Sequence, residues 1–191
     1  MNNFKKSYGY VLQNIKKNKD LINSTKSIQN KTFVISGGTR GIGFNIAEKL
    51  ILNGANVAIL GKTKEPHPKL ENTIDSAVLK LQQNSINNKK NIIGIICDVR
   101  DKKSIDEGKN KILNYFGKID GLVINASALC LNNTLNQSQK EIDLMNNVNI
   151  KGSFNIGQTY INEIIKTSTH PHVLTISPPL NMIKNNDWWI D

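Results

Sequence analysis

The sequence predicts an α/β fold, a doubly wound parallel sheet with helices on both of its faces. From Thr32 onward, short apolar runs rich in Val and Ile alternate with longer segments of helical period, which is typical of βαβ units. A glycine-rich loop follows the first of these runs and precedes the first helical segment. That arrangement favours a sheet of the Rossmann type.

Five short runs are predicted as strands, because each is apolar, rich in β-branched residues and bounded by turn residues. They cover residues 32–36, 56–60, 91–97, 121–125 and 172–177. Runs of this composition are typical of strands that a parallel sheet buries on both faces. We therefore expect all five strands to be buried.

Four segments between the strands are predicted as helices. Residues 42–53 end at Asn53-Gly54, a good C-cap, and residues 104–116 end before Gly117. Residues 70–83 place one apolar face toward the sheet, formed by Leu70, Ile74, Ala77, Val78 and Leu81. A long helix over residues 138–166 precedes the fifth strand, and the polar run 84–91 predicts an exposed loop.

The length and the charge distribution predict one folded domain after a basic extension. A chain of 191 residues fits a single core. Seven lysines against one aspartate lie within the first 31 residues, so much of the net charge of +10 is local. We assign residues 1–30 to a basic extension and residues 31–191 to the domain. Two cysteines without a partner at ligand spacing fit a reducing compartment, so we expect a cytoplasmic protein. The extension is acid-poor and mildly amphipathic, so mitochondrial targeting is the alternative.

Composition and spacing argue against several other classes of protein. The basic residues are not interleaved with aromatic residues and no helix-turn-helix or zinc-finger spacing occurs, so we expect no nucleic-acid partner. No run reaches the roughly 18 apolar residues that a membrane span needs. Cys97 and Cys130 have no second Cys or His at ligand spacing, so we expect neither a metal site nor a disulfide.

The loop Ser36-Gly37-Gly38-Thr39-Arg40-Gly41-Ile42-Gly43 predicts a dinucleotide site. Glycine at 37 lets the chain turn sharply out of the strand, while Gly41 and Gly43 let the backbone and the helix approach the pyrophosphate and the sheet. The helix N-terminus supplies the anion site. We expect cofactor contacts from Gly37, Thr39, Arg40, Gly41, Ile42 and Gly43. A glycine-rich turn with a packing role only is the alternative.

The residues after the second strand favour NADP over NAD. Domains that prefer NAD place Asp or Glu about 20 residues after the glycine loop, where it binds the ribose 2′-hydroxyl. This sequence has Gly61-Lys62-Thr63 there. Arg40 and Lys62 offer two cations to a 2′-phosphate. The alternative is that both are merely exposed charges.

Several separated motifs together resemble the short-chain dehydrogenase/reductase family over residues 32–181. Besides the glycine loop they are segment 62–70, Asp98-Val99-Arg100-Asp101, Asn125-Ala126-Ser127-Ala128, segment 143–149 and segment 177–181. The resemblance implies an NADP-dependent oxidoreductase that acts on the carbonyl/alcohol pair of a small or lipid-like substrate. It also implies that the helix 138–166 can serve as a surface for a homo-oligomer.

The resemblance implies a cofactor role for two further groups of residues. Asp98 and Val99 would hold the adenine, with the carboxylate accepting from its amino group. The residues Asn125, Ala126 and Ser127 would form the floor under the adenine ribose and pyrophosphate. A polar strand end and a turn cap are the structural alternatives.

Two residues would take part in the chemistry if the resemblance holds. Asn149 resembles the family's helix-kinking asparagine, which holds a water in a proton relay. Ser177 would hydrogen-bond the substrate carbonyl, polarising and orienting it. The alternatives are one more Asn in an Asn-rich chain and a capping serine after a strand.

The chain departs from the family at a Tyr-x-x-x-Lys pair that supplies the general acid and its lysine. No such pair occurs between Ser177 and Asp191, and Tyr160 is followed four residues later by Ile164. We therefore expect a fold without its C-terminal part, from a truncated, split or fragmentary chain that binds cofactor better than it turns over. A non-catalytic NADP-binding module or inactive fragment is the alternative. A methyltransferase is a weaker one, because Arg40 and Lys62 argue against it.

Overall fold

Five parallel strands form one sheet in the order β3-β2-β1-β4-β5. The computed structural model describes residues 28–65, 72–83, 85, 91–130, 132–133 and 135–177. The strands are β1 Thr32–Ser36, β2 Asn56–Gly61, β3 Ile92–Ile96, β4 Gly121–Ile124 and β5 His172–Thr175. The strand order reverses at β1 and β4, which confirms the predicted Rossmann-type sheet and places its switch point between these strands.

Helices cover both faces of the sheet, and alternate side chains of each strand point to opposite layers. The helices are α1 Gly41–Leu52, α2 Ile74–Gln83, α3 Lys102–Phe116, α4 Gln139–Met145 and α5 Ser153–Thr167. Val34 and Leu60 pack with the cluster that includes residues of α3 and α5. Ile35 and Ile59 pack with the cluster that includes residues of α1 and α2. The sheet is therefore doubly wound, as predicted.

Local capping explains where α2 and α3 begin. Asp101 caps α3, because its side chain accepts from the Lys103 N–H at 3.0 Å, so the helix starts two residues before the predicted Ser104. At α2, Thr73 and Ser76 exchange side-chain and backbone hydrogen bonds. Leu70, predicted on this helix, lies outside the described residues.

The long helix predicted over 138–166 is one continuous helical region over residues 139–167, but it is not a uniform α-helix, because a π-helical segment, Asn146–Gly152, separates α4 from α5. Asn149 in this segment bonds the backbone of Ala128 with both ends of its side-chain amide. A Cβ added at Gly152 would lie 2.7 Å from Val99 Cγ2. These contacts coincide with the wider turn, which a pattern of apolar residues does not reveal.

The prediction that all five strands are buried is correct for the inner strands β1, β2 and β4 but wrong for the outer strands β3 and β5. All four residues of β5 are exposed, as are Gly94 and Ile96 of β3. In the described part of the chain, β3 and β5 are the edges of the sheet. The exposed loop predicted over 84–91 is described only at Ser85 and Asn91. Asn91 is buried and its side chain donates to the Ala55 carbonyl at 3.3 Å, so that prediction is wrong there.

Within the described ranges, no helix is long and apolar enough to cross a membrane. The same residues contain no group of three or more His, Cys, Asp or Glu side chains that could hold a metal ion. Cys97 and Cys130 are free thiols. Of the basic extension, residues 1–27 lie outside the described residues.

Candidate nucleotide-binding site

A cleft of about 420 Å³ lies where β1, β2, β3 and β4 end. Eight of the predicted site residues line it: Gly37, Thr39, Arg40, Lys62, Asp98, Val99, Ala126 and Ser127. Its other lining residues are Leu60, Gly61, Thr63, Cys97, Arg100, Ala128, Leu129, Leu144 and Val148. Ligands of open α/β sheets bind at such carboxyl ends, and the volume suits a small-molecule site.

The glycine loop needs glycine at two positions because other backbone lies against it. Gly37 has a φ of 68°, and a Cβ there would lie 2.9 Å from Ala126 Cα. A Cβ at Gly43 would lie 2.5 Å from Asn125 Nδ2. By contrast, Gly41 has a φ of 56° with open space around its Cβ direction. The loop is thus tightly held against β4 and open at the start of α1.

Asn125 holds the loop from below. Its Nδ2 donates to the carbonyls of Ser36, at 3.1 Å, and Gly37, at 3.0 Å. The Ser36 hydroxyl accepts from the N–H groups of Asn125, at 3.0 Å, and Ala126, at 3.1 Å. Asn125 is therefore beneath the loop rather than in the cleft wall, which Ala126 and Ser127 form. Ser36 is the first residue of the predicted loop, but no role in holding the loop was assigned to it from the sequence. Its place at the end of an apolar strand was the available signal, and its side chain is buried.

The N-terminus of α1 offers backbone donors beside the cleft. Arg40 occupies the N-cap position with an extended backbone and makes no side-chain capping bond. The first turn of α1 contains no acidic residue, and its N–H groups have no intrahelical acceptor. Gly41 and Ile42 are exposed here, with Gly43 buried under the turn. The arrangement can accept an anion.

Two exposed cations lie at the rim where β1 and β2 end. Arg40 precedes α1 and Lys62 directly follows β2, and both side chains line the cleft. Gly61 lets these segments approach, since a Cβ there would lie 2.8 Å from Thr39 Cγ2. Asn72 then donates to the Thr39 carbonyl at 3.1 Å. The packing brings the two predicted cations to one end of the cleft.

Asp98 is paired with Arg100, for which the sequence predicted no role in the site. Arg100 Nε donates to Oδ1 at 2.9 Å and to Oδ2 at 3.1 Å, and its Nη2 donates to Oδ2 at 2.5 Å. These bonds from Arg100 are the largest cause that lowers the pKa of Asp98, and the charge of Lys62 adds to the effect. Asp98 is therefore ionised at neutral pH, and Lys62 is on its side of the cleft.

Apolar side chains form the rest of this wall. Cys97 is only 2% exposed, and burial raises the pKa of its thiol to about 11. The thiol is therefore neutral and serves as an apolar surface rather than a nucleophile. Val99, Leu144 and Val148 continue the wall. Such a surface can pack against the flat face of a base.

Asn149 and Ser177, the two predicted chemical residues, do not line this cleft. Asn149 Oδ1 accepts from the Ala128 N–H at 2.8 Å and its Nδ2 donates to the Ala128 carbonyl at 2.9 Å. It thereby fixes the loop after β4. Ser177 is exposed after β5, where the N–H of Ile176 donates to the Ile124 carbonyl at 2.9 Å. Ser177 is thus at the same edge of the sheet as the loop after β4.

Tyr160 is not part of the site. Its side chain is fully buried, and it packs in the core between the sheet, α3 and α5. Burial is the main cause that raises the pKa of its phenol, and the nearby Cys97 adds to the effect. A buried phenol of raised pKa that does not line the cleft cannot exchange a proton with a ligand there.

A second groove of about 450 Å³ runs along α1 beside Ile28 and is more open than the cleft. Of the predicted site residues it contains only Ile42. The cleft at the strand ends is the better candidate, because it combines backbone donors, cations and an apolar wall. These features fit the adenosine and pyrophosphate parts of a dinucleotide.

Comparison with known proteins gives one consistent result. Residues 31–179 match the family model for short chain dehydrogenase. Hydroxysteroid dehydrogenase-like protein 2 is 41% identical in Homo sapiens and 39% identical in Danio rerio, each over 162 residues. Those alignments cover 85% of this chain and 38% of each relative, so the chain spans about two fifths of their length.

A solved structure agrees with the sequence relatives. The short-chain dehydrogenase from Mycobacterium thermoresistibile is 37% identical, with a TM-score of 0.73 over 82% of this chain and 54% of that chain. The resemblance to the family that was drawn from the motifs is confirmed. On sequence and fold together, the chain belongs to the short-chain dehydrogenase/reductase family.

Proposed function

We propose that the chain binds NADP in the cleft and forms the cofactor-binding part of an oxidoreductase. Enzymes of this family use nicotinamide cofactors. The observation that favours NADP is the charge of the cleft. Arg40 and Lys62 form no salt bridge among the described residues, whereas Asp98, the one acidic lining residue, is paired with Arg100. An anionic 2′-phosphate is therefore attracted to this end.

Each part of the cofactor has candidate partners on the chain. The backbone of Gly37, Thr39, Gly41, Ile42 and Gly43 would hold the pyrophosphate at the start of α1. The adenine would be held by Asp98 and Val99, and the 2′-phosphate by Arg40 and Lys62. Ala126 and Ser127 would lie along the ribose and the pyrophosphate, on the loop that Asn125 supports.

When bound, the nicotinamide supplies or accepts the hydride. We propose that the Ser177 hydroxyl donates to the carbonyl oxygen of the substrate, because β5 ends beside the loop after β4. Asn149 fixes that loop through Ala128, and we retain its proposed place in the proton relay. The substrate class is the carbonyl or alcohol of a small or lipid-like molecule.

Substitution of the two cations tests the proposed binding mode. We expect Arg40→Ala and Lys62→Ala each to weaken NADP binding by roughly 5- to 50-fold while changing NAD binding less than about threefold. Lys64→Ala is the matched control, because Lys64 is exposed two residues further on and does not line the cleft. Equal losses for NADP and NAD would contradict the assignment of these side chains to the 2′-phosphate.

A non-catalytic NADP-binding module is the second candidate. No tyrosine lines the cleft among the described residues, and Tyr160 is in the core. Turnover of a ketone panel with NADPH separates the two functions. Cofactor binding without consumption of NADPH would favour the module, and steady turnover at rates typical of enzymes would favour the oxidoreductase.

We also propose a homodimer through the long helical region. Four side chains along the π-helical segment and α5 are exposed and apolar: Ile150, Phe154, Ile161 and Ile165. Exposed apolar stripes of this kind are typical of contact surfaces. The partner would be a second copy of the chain.

A cytoplasmic location is proposed for the chain, with a mitochondrial one as the alternative. The free thiols Cys97 and Cys130 are compatible with a reducing compartment. Fluorescent fusions with and without residues 1–30 distinguish these locations.

A further inference from the structure

Arg100 and Asp98 form a rigid pair on the wall of the cleft. Besides the three side-chain bonds, the backbone N–H of Arg100 donates to Asp98 Oδ1 at 3.0 Å. The pair is therefore held at both its backbone and its guanidinium. The Arg100 side chain is 40% exposed and that of Asp98 is 29% exposed, so both remain accessible from the cleft that they line.

The carboxylate of Asp98 conflicts with the proposed 2′-phosphate unless its charge is offset. Lys62 and Asp98 line the same cleft, and Lys62 lies close enough to lower the pKa of Asp98. The carboxylate is therefore at the same end of the cleft as Lys62, which we propose binds the 2′-phosphate. A bare carboxylate here would repel the 2′-phosphate and would also attract Lys62 away from it. An uncharged ribose 2′-hydroxyl would not be repelled.

We propose that Arg100 determines cofactor specificity by neutralising Asp98, which lets the cleft accept a 2′-phosphate while the carboxylate still accepts from the adenine amino group. This inference rests on the proposed function and extends it by one residue. Arg100 need not contact the phosphate. It acts as a positioning residue through Asp98, because its positive charge lies within hydrogen-bond distance of the carboxylate and offsets it.

The test is a double-mutant cycle on the 191-residue chain, read as the ratio of the NAD dissociation constant to the NADP dissociation constant by isothermal titration calorimetry. We expect Arg100→Gln to lower this ratio by roughly 5- to 20-fold at low salt, mainly by weakening NADP binding, and less at high salt. Adding Asp98→Asn should restore the ratio to within about threefold of the unmodified chain, because the amide oxygen still accepts from adenine.

Two further variants separate charge from geometry. Arg100→Lys keeps the positive charge and should retain most of the ratio. Lys103→Gln removes one positive charge from an exposed residue outside the cleft and should change the ratio less than about twofold. Thermal denaturation of every variant checks that the fold is kept.

The outcomes distinguish this inference from the proposed function. An unchanged ratio in Arg100→Gln, or no recovery in the double variant, would overturn the role of Arg100. If the unmodified chain preferred NAD, the proposed NADP function would fail, yet a fall of the ratio in Arg100→Gln would still support the role of Arg100. If the unmodified chain bound neither nucleotide, both proposals would fail.

Discussion

Tyr160 is the largest fully buried side chain of the core, and its hydroxyl has no hydrogen-bond partner among the described residues. The hydroxyl faces Gly108 of α3, where an added Cβ would lie 3.5 Å from the hydroxyl oxygen. A buried hydroxyl without a partner costs free energy, because it loses its bonds to water and gains none in return. The ring stabilises the core, but the oxygen does not.

Tyr160→Phe should therefore leave the free energy of unfolding unchanged or raise it by up to about 2 kcal/mol. Urea denaturation measures this difference. Tyr115→Phe is the control, because that tyrosine is exposed on α3 and its change should stay within about 0.5 kcal/mol. A loss of more than about 1 kcal/mol in Tyr160→Phe would show that the hydroxyl has a partner after all.

At the residue scale, the sequence revealed positions where backbone conformation dictates the residue. Gly37, Gly41 and Gly43 were identified because their roles depend on the local turn. The sequence did not reveal the pairing of Asp98 with Arg100 or the position of Asn125 beneath the loop. Those depend on the directions of side chains, and in the case of Asn125 on a strand 89 residues away in sequence.

At the scale of elements, Asp120 joins the starts of three strands. Its carboxylate accepts from the Thr32 N–H at 2.9 Å and the Ser168 hydroxyl at 3.0 Å, and pairs with Lys118 at 3.2 Å. Its backbone carbonyl accepts from the His172 N–H at 3.2 Å. Burial acts to raise the pKa of Asp120, but the hydrogen bonds that its carboxylate accepts from Thr32 and Ser168, together with Lys118, outweigh burial and hold the pKa below its ordinary value.

Asp120→Ala should lower the free energy of unfolding by about 2 to 4 kcal/mol at neutral pH, because several buried donors lose their acceptor. A depressed folded pKa gives stability that is present above the ordinary value and is lost as pH falls. The difference between the two proteins should therefore shrink below about pH 4.

Urea denaturation at several pH values measures both effects of Asp120→Ala. Glu107→Ala, an exposed change on α3, should stay within about 0.5 kcal/mol. A constant difference between Asp120→Ala and the unmodified chain from pH 7 to pH 2 would contradict the account of the ionised carboxylate.

The helical region after β4 shows what the sequence could predict at this scale. Apolar spacing identified one helix over 138–166, and residues 139–166 are helical throughout. The π-helical turn around Asn149 was missed as an element, because it is accompanied by bonds to Ala128, 21 residues earlier. A periodic pattern contains no information on such a contact.

For the whole molecule, the exposed stripe on α5 bears on assembly. Phe154 is 66% exposed and Ile165 is 63% exposed on the same helix. Exposure of these two apolar side chains to water is unfavourable. If the stripes of two copies of the chain pack against each other, the side chains are buried and that cost is removed. None of the four side chains of the stripe lines the cleft, so assembly and cofactor binding can be tested separately.

Phe154→Asp should convert a dimer to a monomer and leave the NADP dissociation constant within about threefold, because the buried charge opposes association. Light scattering after size-exclusion chromatography measures the mass. Leu79→Asp makes a similar change at an exposed site on α2 and should not alter the mass. A monomeric unmodified chain, or a Phe154→Asp dimer, would contradict the proposed interface.

The fold of the whole domain was predictable because its signals are local and repeated. Alternating strands and helices, with glycines at the first turn, indicated a doubly wound sheet, and the structure and the relatives confirm it. The exposure of β5 was not predictable from its own residues. Val173 and Leu174 have the composition of an inner strand, but β5 pairs with β4 alone among the described strands and contributes no residue to either core cluster, so both side chains are exposed.

The charges around this cleft should select a dinucleotide that carries a 2′-phosphate. Calorimetric titration of the unmodified 191-residue chain with NADPH and, separately, with NADH at the same ionic strength tests this selection. NADPH should bind at least about tenfold more tightly, and this advantage should decline as salt is added. Equal or tighter binding of NADH would contradict it.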